Sequence, residues 1–324
     1  MNAGDIVLVV LALGFAWSIG AHYTGACMGM PYGSGSIRLW PALLLMAPLA
    51  LLGAALASHR VELTVGLHIL RAAAVTPVGA SLILGVAFLL TTVYTALKVP
   101  TSTIQLLVFS VAGMALGAGI GVEWGTILRL VVIWVLAPPV ALGLGFLLTR
   151  VLDWWNHRPV QPRAEAGASR FWPVALVVVG AAASFTMGGN DVANATGMLV
   201  MTRTFNVWTA GILGGVGLAI GVITWGKPLL KTVAFDIVAV DLPMASAAQL
   251  VQALVVFLAV LFGFFTSMNQ ALVGAMAGAG LARGRDTIKW GTMRNIVRGW
   301  AFGPPSGLVL GFLSAHLFGN WFVL

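Results

Sequence analysis

Apolar residues come in long runs along this chain, broken by short polar segments. The runs cover roughly 5–20, 39–58, 77–97, 103–120, 126–150, 172–188, 207–225, 246–265, 269–282 and 292–318. About 20 such residues let an α-helix cross a ~30 Å hydrocarbon core, so the pattern predicts an all-α polytopic membrane protein. The runs at 103–120 and 269–282 are shorter, and the pattern leaves open whether each crosses or re-enters. One polar connection stands out. Arg150 to Arg170 holds Pro159, Pro162, four arginines and two acids. It reads as a cytoplasmic linker, 150–170, between a first transmembrane half, 1–149, and a second, 171–324.

Composition agrees with the pattern. The 324 residues are 60% hydrophobic and 8% charged, against about 25% charged in a soluble domain, so the lipid bilayer is the surrounding partner. The formal charge of +8 does not point to nucleic acid, because the basic residues sit mostly in short connections, where topology explains them. Ten crossings with the linker inside put both termini outside. Arg38, Lys98, Arg150, Arg158, Arg163, Arg170, Lys227, Lys231, Arg283, Arg285 and Lys289 then fall inside, and Arg60, Arg71 and Arg203 outside. The opening Met1-Asn2-Ala3-Gly4-Asp5 has no basic n-region, so the first span is expected to be retained. Cys27 is the single cysteine, and His22, His59, His68, His157 and His316 are scattered. With no ligand cluster and no nucleophile beside a base, neither an enzyme nor a cofactor is expected.

Polarity returns inside one apolar stretch, at Ser184-Phe185-Thr186-Met187-Gly188-Gly189-Asn190-Asp191-Val192-Ala193-Asn194-Ala195-Thr196-Gly197. An aspartate costs roughly 2.5–3.5 kcal/mol near a bilayer centre, which makes Asp191 a functional-site candidate. Gly188 and Gly189 are expected to let the helix break just before Asn190. The chain also repeats itself. At an offset of 168, Gly20, Gly29 and Trp40 fall on Gly188, Gly197 and Trp208, and Thr64, Val65 and Ile69 on Thr232, Val233 and Ile237. Near 165, Thr101, Ser102 and Gln105 fall on Thr266, Ser267 and Gln270; at 166, Pro138-Pro139 falls on Pro304-Pro305. Five crossings per copy set the copies in opposite orientations. This is the plan of two inverted-topology repeats, with discontinuous or re-entrant helices meeting near the midplane. Glu62 and Asp236 fall in the short connecting segments, where the readings are a charge that shapes a gate and, favoured, a solvated loop charge.

Gly188-Gly189-Asn190-Asp191-Val192-Ala193-Asn194-Ala195 closely resembles the G-A-N-D-x-A-N-A signature of the inorganic phosphate transporter (PiT) family. Pro100-Thr101-Ser102-Thr103-Ile104-Gln105 is similar to that family's P-x-S-T-T-[HQ] element. The resemblance covers nearly the whole chain outside the linker. It implies a bacterial or archaeal cell membrane protein whose two halves together bind a tetrahedral oxyanion and a coupling cation. Asn190, Asp191 and Asn194 would then serve the cation, sodium in the simplest case, and Ser102 and Thr103 the anion. The first copy departs from the signature. It reads Gly20-Ala21-His22-Tyr23-Thr24-Gly25-Ala26-Cys27, with His22 for Asn, Tyr23 for Asp and Ala26 for Asn. Losing those hard oxygen ligands weakens a sodium site. Met28-Gly29-Met30-Pro31-Tyr32-Gly33-Ser34-Gly35-Ser36 looks more like the sulfate-permease branch of the family.

The chemistry of the anion site follows from charge and hydrogen bonding. A fully ionised oxyanion presents only acceptors, so it needs helix N-terminal N–H groups and hydroxyls. Pro100 fits the first turn of a helix, so the hydroxyls after it lie at a helix N-terminus. The candidate donors are Ser34, Gly35, Ser36, Thr101, Ser102, Thr103, Gln105, Thr196, Thr266, Ser267, Asn269 and Gln270. Hydrogen phosphate can donate to a carboxylate whereas sulfate cannot, so the loss of one Asp moves the chain toward sulfate. His22 and Tyr23 join Asn190, Asp191 and Asn194 as candidates for coupling to a proton or sodium. The sequence thus predicts a cation-coupled importer of an inorganic oxyanion, sulfate before phosphate, working by alternating access. A sodium-coupled phosphate transporter, an anion channel and an anion sensor are the alternatives; monomer or homodimer stays open.

Overall fold

A computed structural model describes residues 2–70, 75–97, 99, 101–155, 170–230 and 241–318. The first half forms α1 (Ala3–His22), α2 (Thr24–Gly33), α3 (Leu39–Ala57), α4 (His59–Leu67), α5 (Pro77–Ala96), α6 (Thr103–Gly117) and α7 (Trp124–Trp155). The second forms α8 (Phe171–Met201), α9 (Val207–Trp225), α10 (Leu242–Leu261), α11 (Met268–Arg283) and α12 (Trp290–Phe318). Eight spans among the described residues are long and apolar enough to cross a membrane: α1 with α2, then α3, α5, α7, α8, α9, α10 and α12. The two runs read as short are short helices: α6 has 15 residues and α11 has 16, about 22 and 24 Å at 1.5 Å per residue. Residues 156–169 of the linker, together with Arg71, Lys98, Pro100, Lys231 and Asp236, lie outside the described residues.

The two halves pack reciprocally. Helix α1 lies on α9 as α3 lies on α8, and α6 lies on α12 as α7 lies on α11. The closest approaches repeat the relation atom for atom. A Cβ on Gly20 would stand 2.1 Å from the Leu218 carbonyl oxygen, and one on Gly188 1.9 Å from that of Ala50. A Cβ on Gly113 would stand 2.0 Å from Leu308 O, and one on Gly278 1.9 Å from Leu142 O. Reciprocal contacts of this kind define a pseudo-twofold relation between the copies. Small residues at these crossings are what allow membrane helices to approach backbone to backbone.

Two expectations are corrected. Helix α8 does not break at Gly188-Gly189; it runs unbroken from Phe171 to Met201. The glycines serve packing instead, since a Cβ on Gly189 would come within 2.9 Å of the Ala57 Cβ of α3. An intact ladder also keeps the backbone groups of α8 paired where water is absent. The break falls in the other copy, at Tyr23 (φ −95°, ψ 3°), between α1 and α2. Glu62 is the second correction. It is not a solvated loop charge but is fully buried in α4, where it meets Thr196 of α8.

Candidate anion and cation site

The two short helices bring their first turns together. Ser102 caps α6 by accepting from the Gln105 N–H at 3.4 Å, and Ser267 caps α11 by accepting from Gln270 N–H at 3.3 Å. The side chains of Gln105 and Gln270 then bond each other, amide to carbonyl, at 3.3 and 3.4 Å across the pseudo-twofold relation. The hydroxyl oxygens of Thr101 and Thr266, one residue before each cap, are buried and without a hydrogen-bond partner. Two helix N-termini with matched buried hydroxyls are suited to negative charge.

Beside them stand the residues of the signature. Asn190 donates from Nδ2 to Asp191 Oδ2 at 2.9 Å and to the Thr266 carbonyl at 2.8 Å, and its own oxygen accepts from the Thr266 N–H at 3.1 Å. Asn194 donates to Asp191 Oδ1 and to Thr103 Oγ1, both at 3.3 Å, and its Oδ1 is buried without a partner. The Tyr23 hydroxyl lies 3.0 Å from Thr103 Oγ1. Both oxygens of Asp191 are therefore already engaged by amides of its own helix.

His22 occupies the place that Asn190 fills in the other copy. Its Nε2 faces the Thr101 carbonyl at 3.2 Å, as Asn190 faces that of Thr266. Its Nδ1 lies 2.8 Å from Thr95 Oγ1, and Thr95 commits its proton to the Thr91 carbonyl at 2.7 Å. An imidazole protonated on Nδ1 thus donates to Thr95 and accepts at Nε2 from Asn269, 3.4 Å away. A second proton on Nε2 would be donated to Thr101 O. That proton would turn Nε2 from acceptor to donor, so the Asn269 amide, which also donates to Thr101 O at 2.8 Å, would have to give up its contact with the ring.

The structure brings together His22, Tyr23, Thr101, Ser102, Thr103, Gln105, Asn190, Asp191, Asn194, Thr266, Ser267, Asn269 and Gln270, all buried. It does not bring in Ser34, Gly35 and Ser36, which form a surface turn after α2 in which Ser34 and Ser36 bond each other at 2.8 Å. Thr196 faces Glu62 rather than the cluster. Sequence reading missed Gln249 and Gln252 on α10. Gln249 donates to the Ala26 carbonyl at 2.9 Å and is also bonded to Gln252, which donates to Met268 O at 3.2 Å. Two glutamines three residues apart, on one face of an otherwise apolar run, were the available signal.

One cavity adjoins this centre, and a second lies two residues along the chain from Thr266. One, of about 380 Å³, lies over Gln105 and Gln270 and is walled by Trp134, Pro138, Trp300 and Pro304. The other, of about 630 Å³, is lined by Thr64, His68, Glu123, Thr126, Arg129 and Phe264, where the chain runs toward Thr266.

A buried polar centre, enclosed by two pseudo-symmetric sets of membrane helices, defines a membrane transporter of the inorganic-anion class. A family model described as the phosphate transporter family matches residues 19–311. The chain belongs to that family. It is 25% identical, over 97% of its length and 88% of the relative's, to a protein named sulfate permease CysP from Bacillus subtilis. It is 27% identical, over 98% of its length and 78% of the relative's, to a probable low-affinity inorganic phosphate transporter of Mycobacterium bovis. A solved structure titled the sodium-dependent phosphate transporter shares the fold, with a TM-score of 0.87 over 98% of this chain and 99% of that one at 22% identity.

Proposed function

We propose that this protein imports sulfate together with protons by alternating access, its two halves being inverted repeats of five crossings each, α6 and α11 included, that rock around the buried centre with both termini outside. The observation that carries the reading is the replacement of the Asn-Asp pair by His22 and Tyr23 within a cluster that otherwise keeps its pseudo-symmetric bonds. A sodium site built there would lack the hard oxygens of one copy. His22 instead places a titratable ring nitrogen 3.2 Å from the Thr101 carbonyl. The unpartnered Thr101 and Thr266 hydroxyls, the capping Ser102 and Ser267, and the first-turn amides of α6 and α11 supply donors to the anion. The cluster holds one carboxylate, Asp191, where two full copies of the signature would place two, and fewer carboxylate acceptors for the proton of hydrogen phosphate favour sulfate.

A second reading, sodium-coupled phosphate import, is favoured by the intact Asn190, Asp191 and Asn194 set. Counterflow in proteoliposomes separates the two. Labelled sulfate should enter vesicles preloaded with unlabelled sulfate, and tenfold excess phosphate should compete weakly. Strong competition by phosphate with no sulfate counterflow would favour the second reading.

A further inference from the structure

Import of a dianion into a cell that is negative inside works against the membrane potential, at about 2.3 kcal/mol per charge per 100 mV. One proton at His22 leaves the sulfate complex with net negative charge. A second buried proton site would make the step electroneutral, and the helices hold one candidate outside the cluster.

Glu62 is fully buried on α4. Its Oε1 lies 2.5 Å from Thr196 Oγ1, and its Oε2 is buried with no hydrogen-bond partner. Thr196 Oγ1 also lies 2.9 Å from the Val192 carbonyl of its own helix. The single hydroxyl proton cannot serve both oxygens. A protonated Glu62 resolves the conflict: Oε1–H donates to Thr196, and Thr196 donates to Val192 O. The ionised form would leave an orphan charged oxygen in an apolar site, a far costlier arrangement.

Among the described residues, no charged group offsets that cost. Helix α4 packs on α8, α9, α3 and α10, and of these only α8 carries an ionisable residue, Asp191, more than a helical turn away. On α4 itself, Arg60 donates to the Leu261 carbonyl and His59 stacks on Trp208. Burial pushes the Glu62 carboxyl up from 4.5 to about 8, with the Thr196 bond opposing weakly. Folding therefore takes up this proton. The stability it brings is full below about 4.5 and is lost as pH rises to about 8.

The position of α4 links this proton to the site. α4 meets α8 five residues beyond Asp191, and Thr64 and Arg60 of α4 bond the carbonyls of Gly263 and Leu261, just before Thr266 and Ser267. We infer that Glu62 is a second proton-binding site of the transport cycle, loaded when α4 is docked on α8 and emptied when the two helices part. This inference rests on the reading of the protein as a proton-driven anion importer.

The test uses the whole protein in proteoliposomes, with labelled sulfate and phosphate as probes and an imposed proton gradient. Glu62→Gln keeps a donor to Thr196 through its side-chain amide but carries no titratable proton. Its ratio of gradient-driven accumulation to equilibrium exchange should fall at least tenfold, with the proton-to-sulfate ratio dropping from about two to about one. An unchanged ratio overturns the inference. Infrared difference spectra supply the second readout. Wild type should show the carbonyl band of a buried protonated carboxyl, titrating near pH 8, lost in Glu62→Gln and shifted in midpoint in Thr196→Val. A band that survives Glu62→Gln unchanged also overturns it. Wild type that moves neither anion would instead defeat the proposed function, and the infrared band would still decide Glu62.

Discussion

The two copies of the signature sit at matched places and solve one problem differently. In the second, Asn190 and Asp191 stand in an unbroken α8 and reach the backbone at Thr266 through a side-chain amide. In the first, His22 and Tyr23 stand at the junction of α1 and α2, and an imidazole reaches the backbone at Thr101. The partners changed with them. Thr95 supports His22, whereas the matching position in the second half is Val260; Gln249 and Gln252 stand where the first half has Leu84 and Ala87. The scaffold kept its pseudo-symmetry through the backbone and the glycine crossings, while the chemistry at the centre diverged. One copy thus carries a titratable ring where the other carries an amide, and the proposed proton coupling rests on that difference.

The comparison breaks most completely at Asp191. Asp191→Asn should abolish gradient-driven uptake, a loss of about 100-fold or more on the scale of a buried ionic group deprived of its role, with membrane insertion unchanged; uptake assays with membrane quantitation check this. Restoring the signature in the first copy, with His22→Asn and Tyr23→Asp together, sharpens the contrast. Sodium should then stimulate uptake about tenfold more than in wild type, read from sodium titrations at fixed pH. Ser102→Ala and Ser267→Ala remove matched caps, each costing about 1 kcal/mol. Each should weaken anion affinity about fivefold, and equally, in binding isotherms; unequal losses would mean that the anion leans on one half.

The smallest effect is expected away from the centre. Arg283 joins Asp153 at the end of α7 to Asp241 at the start of α10. Burial alone would lower its pKa, but the bonds from Asp153 and Asp241 outweigh that and hold it above the ordinary arginine value. Thr76 and Ala118 occupy the places matching Asp241 and Arg283 in the first half, so this clamp, which ties the two halves together, is not repeated at the matching positions. Arg283→Ala should lower the thermal midpoint by a few degrees, as a half-buried pair does, and leave anion selectivity unchanged.

Much of this was legible in the sequence because the controlling quantities are local. Run length marked α6 and α11 as short, and hydroxyls repeating 165 apart marked Ser102 and Ser267, which turn out to be caps. What could not be read was set by tertiary packing. Gly188 and Gly189 look alike whether a helix breaks or merely touches another, and only the approach of α3 decides. Glu62 looks like any charge in a short connection until Gly66 and Gly197 let α4 settle on α8 and close water out. Ser34 and Ser36 had the composition of an anion loop, but α2 carries them to the surface.

The most direct test of the account is uptake of labelled sulfate and phosphate into proteoliposomes, with proton and sodium gradients imposed separately. Sulfate accumulation that follows the proton gradient and ignores sodium is the predicted result. Phosphate accumulation that follows sodium would contradict it, and would mean that Asn190, Asp191 and Asn194 suffice alone for sodium coupling.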